Sequence, residues 1–337
     1  MAAVRRVAIG IDIGGTKMAV ANVDQHGSIV AREILPTEAE LGFPRAVERL
    51  IAAAERVFAA IGKNRPRLCG LGIACAGPVA PPQGLINNPY TLAGWSGCDI
   101  VTPLQEHFAA PAYLENDADM AALGECHCGA GRDCDPVVML TFGTGVGGAV
   151  VMRNEVYRGV QGEHPELGHM AISADGPKCY CGTSGCLESL ASGTAIAEAG
   201  RGAGFEDARQ VFSAAREGHA AARAIVERAV NAAASAAWTI CHTFLPQRLI
   251  LGGGMMDEHF DLFAAAINAR LKSPTQFKRE AFSVERAKLG NDAGLVGAAH
   301  AAFLRNPNPP PAREVDLAKR MTWRPAFPYA EARGRDR

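Results

Sequence analysis

Aromatic side chains are scarce in this sequence, neither charge is in surplus, and no apolar run is long. Phe, Tyr and Trp make up 6% of the chain, so its core cannot be built from large rings. Lys and Arg number 34 against 35 Asp and Glu, a net charge of −1. That balance removes the electrostatic case for nucleic acid or an anionic membrane as partner. No segment approaches the ~18 apolar residues of a membrane span. Arg5-Arg6 precede an apolar run, as in a secretion signal, but Asp12 interrupts it and no small-residue cleavage site follows. The ten cysteines fall in unequal clusters in a chain much longer than a secreted disulfide scaffold. Reduced thiols and a cytoplasmic location are the expectation.

Glycine and alanine are abundant instead, with 37 glycines. This suits helices packed closely on sheets joined by tight turns. A length of 337 residues is enough for about two domains, since single cores stop growing near ~250–300 residues. Strands are expected over Val7–Ile13, Met18–Val23, Ser28–Leu35, Leu68–Ala74, Ala112–Glu115, Val137–Phe142, Gly148–Met152 and Leu249–Leu251. An amphipathic helix is expected from about Pro44 to Ala60, another from near Ala118, and an alanine-rich one over Ala220–Phe244. The strand-turn-strand openings near residues 10 and 140 look alike, which hints at two related α/β halves. From Asn306 the composition turns to proline and charge, the mark of a flexible tail.

The densest chemical signal is His169 followed by Cys179, Cys181 and Cys186. Three thiolates and an imidazole complete a tetrahedral set for structural zinc. Gly182 and Gly185 lie inside the loop, where a chain wrapping one ion needs tight turns. Glu166 and Glu188 bracket the motif, which reads as a device that fixes two carboxylates around a polyhydroxylated ligand. Cys126-His127-Cys128 and Cys134 mimic the spacing loosely but lack the paired carboxylates and the Gly-x-x-Gly turn. They read as structural or incidental, and His107, His242, His259 and His300 as surface or packing residues on helices.

Asp12-x-Gly14-Gly15-Thr16-Lys17 stands between two strands, so it is not a Walker loop, which needs a following helix. A glycine hairpin still offers backbone N–H groups to phosphates, and Asp12 beside them suits the hydration shell of Mg²⁺. Further glycine turns at Gly143–Gly147 and Gly252–Gly254 also follow buried strands, where α/β ligand sites gather. Asn116-Asp117 ends a strand directly before a helix. A lone Asp there is by default a helix N-cap. The functional reading makes Asp117 a general base for a hydroxyl attacking a γ-phosphate, with Asn116 holding another hydroxyl.

The order Asp12-x-Gly-Gly-Thr-Lys17, Glu115-Asn-Asp117, Gly143-Thr-Gly-Val-Gly-Gly148, Glu166-x-Gly-His169, Cys179-x-Cys-Gly-x-x-Gly-Cys-x-Glu188 and Leu251-Gly-Gly-Gly254 resembles the ROK family of repressors, open reading frames and kinases. The resemblance spans about residues 7–304. It implies an actin-like, ribonuclease-H-like fold of two α/β domains with ATP and sugar in a central cleft. Residues 1–117 would form the first domain and 118–290 a larger one carrying the zinc loop. A last helix, about 291–305, would return to the first domain, with the tail at 306–337. By that likeness Asp117 is the base, and Asn116, Glu166, His169 and Glu188 contact sugar hydroxyls, His169 serving the metal as well. Gly14, Gly15, Thr16, Lys17, Thr144 and Gly145 would meet the phosphates, and Gly253 and Gly254 the nucleoside. The implied partners are a small sugar and ATP with Mg²⁺, in a homodimer.

His164-Pro165 precede the first Glu as in fructokinase-like members, whereas Cys179-Tyr180-Cys181 follows the pattern of glucokinases and N-acetylmannosamine kinases. Asn88 and Gly94-Trp95 resemble the glucokinase-like segment and favour glucose. The expectation is an ATP-dependent hexose kinase acting on the 6-hydroxyl. N-acetylmannosamine, N-acetylglucosamine and fructose kinases are the alternatives. The family's repressors carry several dozen residues of DNA-binding domain ahead of the first glycine loop, and only eleven precede Asp12 here. An intact Asp117 likewise argues against a non-catalytic sensor.

Overall fold

The computed structural model describes residues 6–60, 67–272 and 281–306. The chain opens with three antiparallel strands, β1 (Arg6–Ile13), β2 (Lys17–Asp24) and β3 (Ile29–Pro36), then helix α1 (Phe43–Ala59). Strand β4 (Arg67–Cys75) lies parallel beside β1. A small sheet of two-residue strands follows, β5 (Val79–Ala80), β6 (Leu85–Ile86) and β7 (Cys98–Asp99), then α2 (Val101–Phe108). Strand β8 (Ala112–Asn116) joins β4 in parallel and runs directly into α3 (Asp117–Cys128). The first large sheet has the order β3-β2-β1-β4-β8.

The second half repeats this plan. Strands β9 (Val137–Phe142), β10 (Val146–Met152) and β11 (Glu155–Val156) are again consecutive and antiparallel. Helices α4 (Leu187–Ala191), α5 (Gly193–Arg201), α6 (Ala208–Arg216) and α7 (Ala220–Phe244) follow the cysteine loop. Strand β12 (Arg248–Gly252) is parallel to β9, and helix α8 (Gly254–Arg270) leads to β13 (Ser283–Arg286). The order β11-β10-β9-β12-β13 matches the first sheet position for position, so the likeness of the two openings extends to whole sheets. Helix α9 (Ala293–Arg305) ends the described chain.

Strand periodicity explains how the first sheet is covered on both faces. Ile9, Ile11 and Ile13 of β1 point into one core with Leu50 of α1, Ile73 and Trp95. Ala8 points the other way, into a core with Leu295, Ala299 and Ala302 of α9. Two strand glycines let α9 approach closer than alanine permits. A Cβ at Gly10 would lie 2.2 Å from the Leu295 carbonyl oxygen, and one at Gly72 1.8 Å from that of Ala298. Helix α9 therefore packs on the first sheet, beside α3. In α7 the buried face is largely alanine, including Ala229, Ala233, Ala236 and Ala237, as the scarcity of large side chains requires.

After the cysteine loop the structure holds one strand beyond those expected, β13 at the edge of the second sheet. The third glycine turn is also the start of a helix, with Gly253 as N-cap of α8. The proline-rich tail from Pro307 onward lies outside the described residues.

Candidate active site and metal centre

Three parallel strands end side by side. The register places Ile13 opposite Cys75, and Cys75 opposite Asn116, so Asp12 and Asp117 flank one sheet edge about two strand spacings, or ~10 Å, apart. Beside Asp12, on the side of β1 away from β4, the chain turns at Gly14–Lys17, where the Gly14 N–H donates to the Lys17 carbonyl at 3.0 Å. The Thr37 hydroxyl pins the turn by donating to the Gly14 carbonyl at 2.6 Å. Gly14 and Gly15 are half-buried there, and Thr16 and Lys17 exposed. Gly15 abuts Thr91, in a loop tied down by Asn88. Asn88 hydrogen-bonds Ala76, Thr91 and the Tyr90 amide, and Trp95 is buried in the core, so both residues build this loop.

Burial, and next the charge of Asp117, push the Asp12 carboxyl up to about 7, with Lys17 pulling it back. Helix α9 begins beside it, since a Cβ at Gly294 would lie 2.9 Å from Asp12 Oδ2. Burial also raises Asp117 above the ordinary carboxylate range, against the Ala118 N–H and the charge of His164. The neighbouring Cys75 thiol is buried and raised, first by burial and then by Asp117 and Asp12, so it stays protonated. Asn116 proves to be the N-cap of α3. Its Oδ1 accepts from the Ala118 and Asp119 amides at 2.8 and 3.4 Å, leaving Nδ2 for a ligand. Asp117 is thereby freed from the capping role and occupies the first helical position, where the helix dipole favours negative charge.

The second and third glycine turns are neighbours, because Thr141 pairs with Gly252. Gly143 is held by the Gly193 amide donating to its carbonyl at 2.8 Å, and Thr144 similarly by Thr194. A Cβ at Gly143 or at Gly254 would meet nothing within 4 Å, so both face open space. Gly145 is different: a Cβ there would lie 2.5 Å from Glu188 Oε2, which accepts from the Val146 amide at 2.8 Å. The second turn thus fixes the Glu188 carboxylate directly.

His169, Cys179, Cys181 and Cys186 present ligand atoms all within 4.8 Å of one another. Cys179 Sγ is 3.5 Å from His169 Nδ1, and Cys181 Sγ is 3.4 Å from Cys186 Sγ. These separations are close to the ~3.8 Å edge of a tetrahedron of Zn–S bonds, and the donors are those zinc takes. Because Nδ1 faces the thiols, only Nε2 of His169 is left for a second ligand. Tyr180 within the loop packs edge-on against His169 and lies near Tyr90 across the site. Among the described residues no other group of His, Cys, Asp and Glu converges in this way. Cys126 and Cys128 form the last turn of α3, with Cys128 turned against Gly27.

Glu166 meets His164, whose Nε2 lies 3.1 Å from Oε1. That hydrogen bond holds Glu166 below the usual carboxylate range, with burial working against it. Burial opposes charge on His164, but Glu166 and Asp119 outweigh it and lift the imidazole above its ordinary value. Asp119 is ion-paired with Arg158, which also binds Glu115, and Glu115 in turn binds Arg305. Burial pushes Asp119 up to about 6 despite Arg158, so the pair is still mostly ionised at pH 7.

With this geometry in place, the family model described as "ROK family" matches residues 8–303. The chain belongs to the ROK family. It is 32% identical to a glucokinase of Thermotoga maritima over 308 residues, 86% of this chain and 95% of that one. A ROK hexokinase structure from Thermus thermophilus has a TM-score of 0.80 and 33% identity, covering 89% of this chain and 98% of that one. A ROK glucokinase from Streptomyces griseus, in complex with glucose and AMPPNP, has a TM-score of 0.71 and 29% identity, covering 88% and 99%. The expected actin-like α/β fold is the fold of this ROK chain.

Sequence reasoning on this ROK member passed over Cys75, Asp119, Arg158 and the hydrogen bond of His164. Only Asp119 carried a signal, a second acid two positions after Asp117. Cys75 and Arg158 reach the site through pairing and packing that no local pattern marks.

Proposed function

We propose that this chain is an ATP-dependent hexose kinase, glucokinase-like, that transfers the γ-phosphoryl group to the 6-hydroxyl of glucose. The observation that carries the reading is the convergence of Asp12, the Gly14–Lys17 turn and Asp117 on one parallel-strand edge. Residues 1–117 would act as one domain, joined by the helix at 291–305, and 118–290 as the other. Glu166, His169, Glu188 and Asn116 Nδ2 would hold the sugar, presenting one hydroxyl to Asp117. Gly14, Gly15, Thr16, Lys17, Thr144 and Gly145 would line the triphosphate, and Gly253 and Gly254 the nucleoside.

In this reaction the sugar oxygen forms a bond to the γ-phosphorus while the bond from that phosphorus to the β–γ bridging oxygen breaks. The hydroxyl proton passes to Asp117 and ADP leaves. A buried carboxylate with raised proton affinity suits that step, since a base works best when its pKa lies near the operating pH. Phosphoryl transfer otherwise depends on positioning and charge neutralisation. Mg²⁺ held with the phosphates beside Asp12 would supply that neutralisation, and a buried carboxylate of raised pKa is the side chain such a cation relieves. Zinc on His169, Cys179, Cys181 and Cys186 would supply a closed four-ligand crosslink with no open position. That crosslink would steady the loop between Glu166 and Glu188, and a misplacement of ~1 Å at such a site can cost ~10²-fold in rate.

A homodimer in the cytoplasm completes the reading. Among the described residues no helix is long and apolar enough to cross a membrane. A coupled ADP-release assay over glucose, fructose, mannose, N-acetylglucosamine and N-acetylmannosamine tests the proposal. Glucose should give the highest kcat/KM. Preference for fructose would give weight to His164-Pro165, and tight sugar binding without turnover would leave a sensor.

A further inference from the structure

Glu166 is the loosest acidic group at the site, with 61% of its side chain exposed. A free glutamate samples many rotamers, so a carboxylate meant to meet a hydroxyl needs a support. His164 provides the contact at 3.1 Å and is itself mostly enclosed, its side chain 19% exposed. The other ring nitrogen, Nδ1, lies 3.8 Å from Asp119 Oδ2. Asp119 is fully buried in the first turn of α3, two residues after Asp117, and ion-paired with Arg158. Among the described residues neither Asp119 Oδ1 nor His164 Nδ1 has a hydrogen-bond partner, though both are buried. A shift of about 1 Å would bring Nδ1 into hydrogen bonding with Asp119. Pro165 restricts the backbone of His164 to extended conformations, which limits the ring's travel.

We propose that His164 is a positioning residue for the sugar, tying the exposed Glu166 to the rigid first turn of α3 through Asp119. The carboxylate that receives the sugar and the carboxylate that takes its proton are then held at a fixed separation by one imidazole. The anchor is deep, because Arg158 binds Asp119 and Glu115, and Arg305 binds Glu115 from the end of α9. The inference rests on the reading of Glu166 as a sugar ligand.

The test is a double-mutant cycle on the full chain, with glucose as acceptor. Glu166→Gln and His164→Ala should each raise the KM for glucose by about 10-fold, the order expected for a lost hydrogen bond to a charged group. The KM for ATP should stay within about two-fold, and the double variant should be no worse than Glu166→Gln alone. His164→Gln, which keeps a donor for Glu166, should recover much of the loss. Additive effects in the double variant would overturn the inference while leaving Glu166 a sugar ligand. A lowered unfolding midpoint with an unchanged glucose KM would do the same, reducing His164 to packing. If Glu166→Gln itself left the glucose KM unchanged, the sugar-ligand reading would fall and the inference with it. His164→Leu, which fills the ring's space without a donor, runs the same cycle should the alanine variant not fold.

Discussion

Replacing Asp12 with asparagine should make the ligand-free protein more stable at neutral and alkaline pH while abolishing its use of Mg²⁺ and ATP. Burial and the nearby charge of Asp117 lift the Asp12 carboxyl from 3.8 to about 7. At 1.36 kcal/mol per unit, a shift of about 3 units is a cost of about 4 kcal/mol for the ionised group. That value is an upper one, because part of the side chain remains open to water. The sign follows from the direction of the shift. A carboxyl whose folded pKa is raised loses stability as pH climbs from about 4 to about 7, and the loss is complete above that. The asparagine variant lacks this penalty, so its advantage should grow by about 1.4 kcal/mol per pH unit across the window and then level off. Denaturation midpoints at pH 5, 6, 7 and 8 without nucleotide measure it. Addition of Mg²⁺ and ATP at pH 8 should then stabilise the parent and not the variant. An advantage independent of pH, or a variant less stable than the parent at pH 8, would refute the reasoning about the buried charge. A variant still stabilised by Mg²⁺ and ATP would remove Asp12 from the metal role.

Asp117→Asn should lower kcat by about 10²–10⁴-fold with glucose binding retained, as initial rates and calorimetry would show; near-normal kcat would place the base elsewhere. Elemental analysis should find one zinc per chain, and Cys181→Ser should weaken glucose binding and lower the unfolding midpoint, with nucleotide affinity less affected. Normal sugar binding with loss of the chemical step alone would make the metal a participant in the reaction. Gly254→Ala should fold at least as well as the parent, since its Cβ meets nothing and alanine favours a helix by up to about 1 kcal/mol. Its KM for ATP should rise several-fold, and an unchanged value would put the nucleoside elsewhere.

Much of this arrangement was legible in the sequence because it rests on local patterns. The expected bounds Ala220–Phe244 and Val137–Phe142 are those observed, since an alanine-rich face and a continuous apolar run are both readable within a short window. The cysteine loop was legible because its donors lie within eighteen positions of one another. The small sheet of β5, β6 and β7 was not, as two-residue strands show no alternation. Strand β13 was missed for a different reason: it is a four-residue edge strand whose partner, β12, precedes it by a whole helix. Asn116 shows the limit at the site. Its amide and the neighbouring carboxylate are equally good caps by composition, and only the folded turn decides which one caps α3 and which one points away.

The position of α9 bears on how the chain is made. The strands it covers, β1 and β4, leave the ribosome long before Ala293 does, an interval of roughly 10–60 s at ordinary synthesis rates. Throughout that time the face along Ala8, Gly10, Cys69 and Gly72 lacks the helix that covers it in the folded chain. These strands emerge well before α9 and are sealed only with it. A fragment ending before Ala293 should be nicked within β1–β4 under limited proteolysis that spares the full chain. In this molecule a truncation at one end of the sequence is felt as instability at the other.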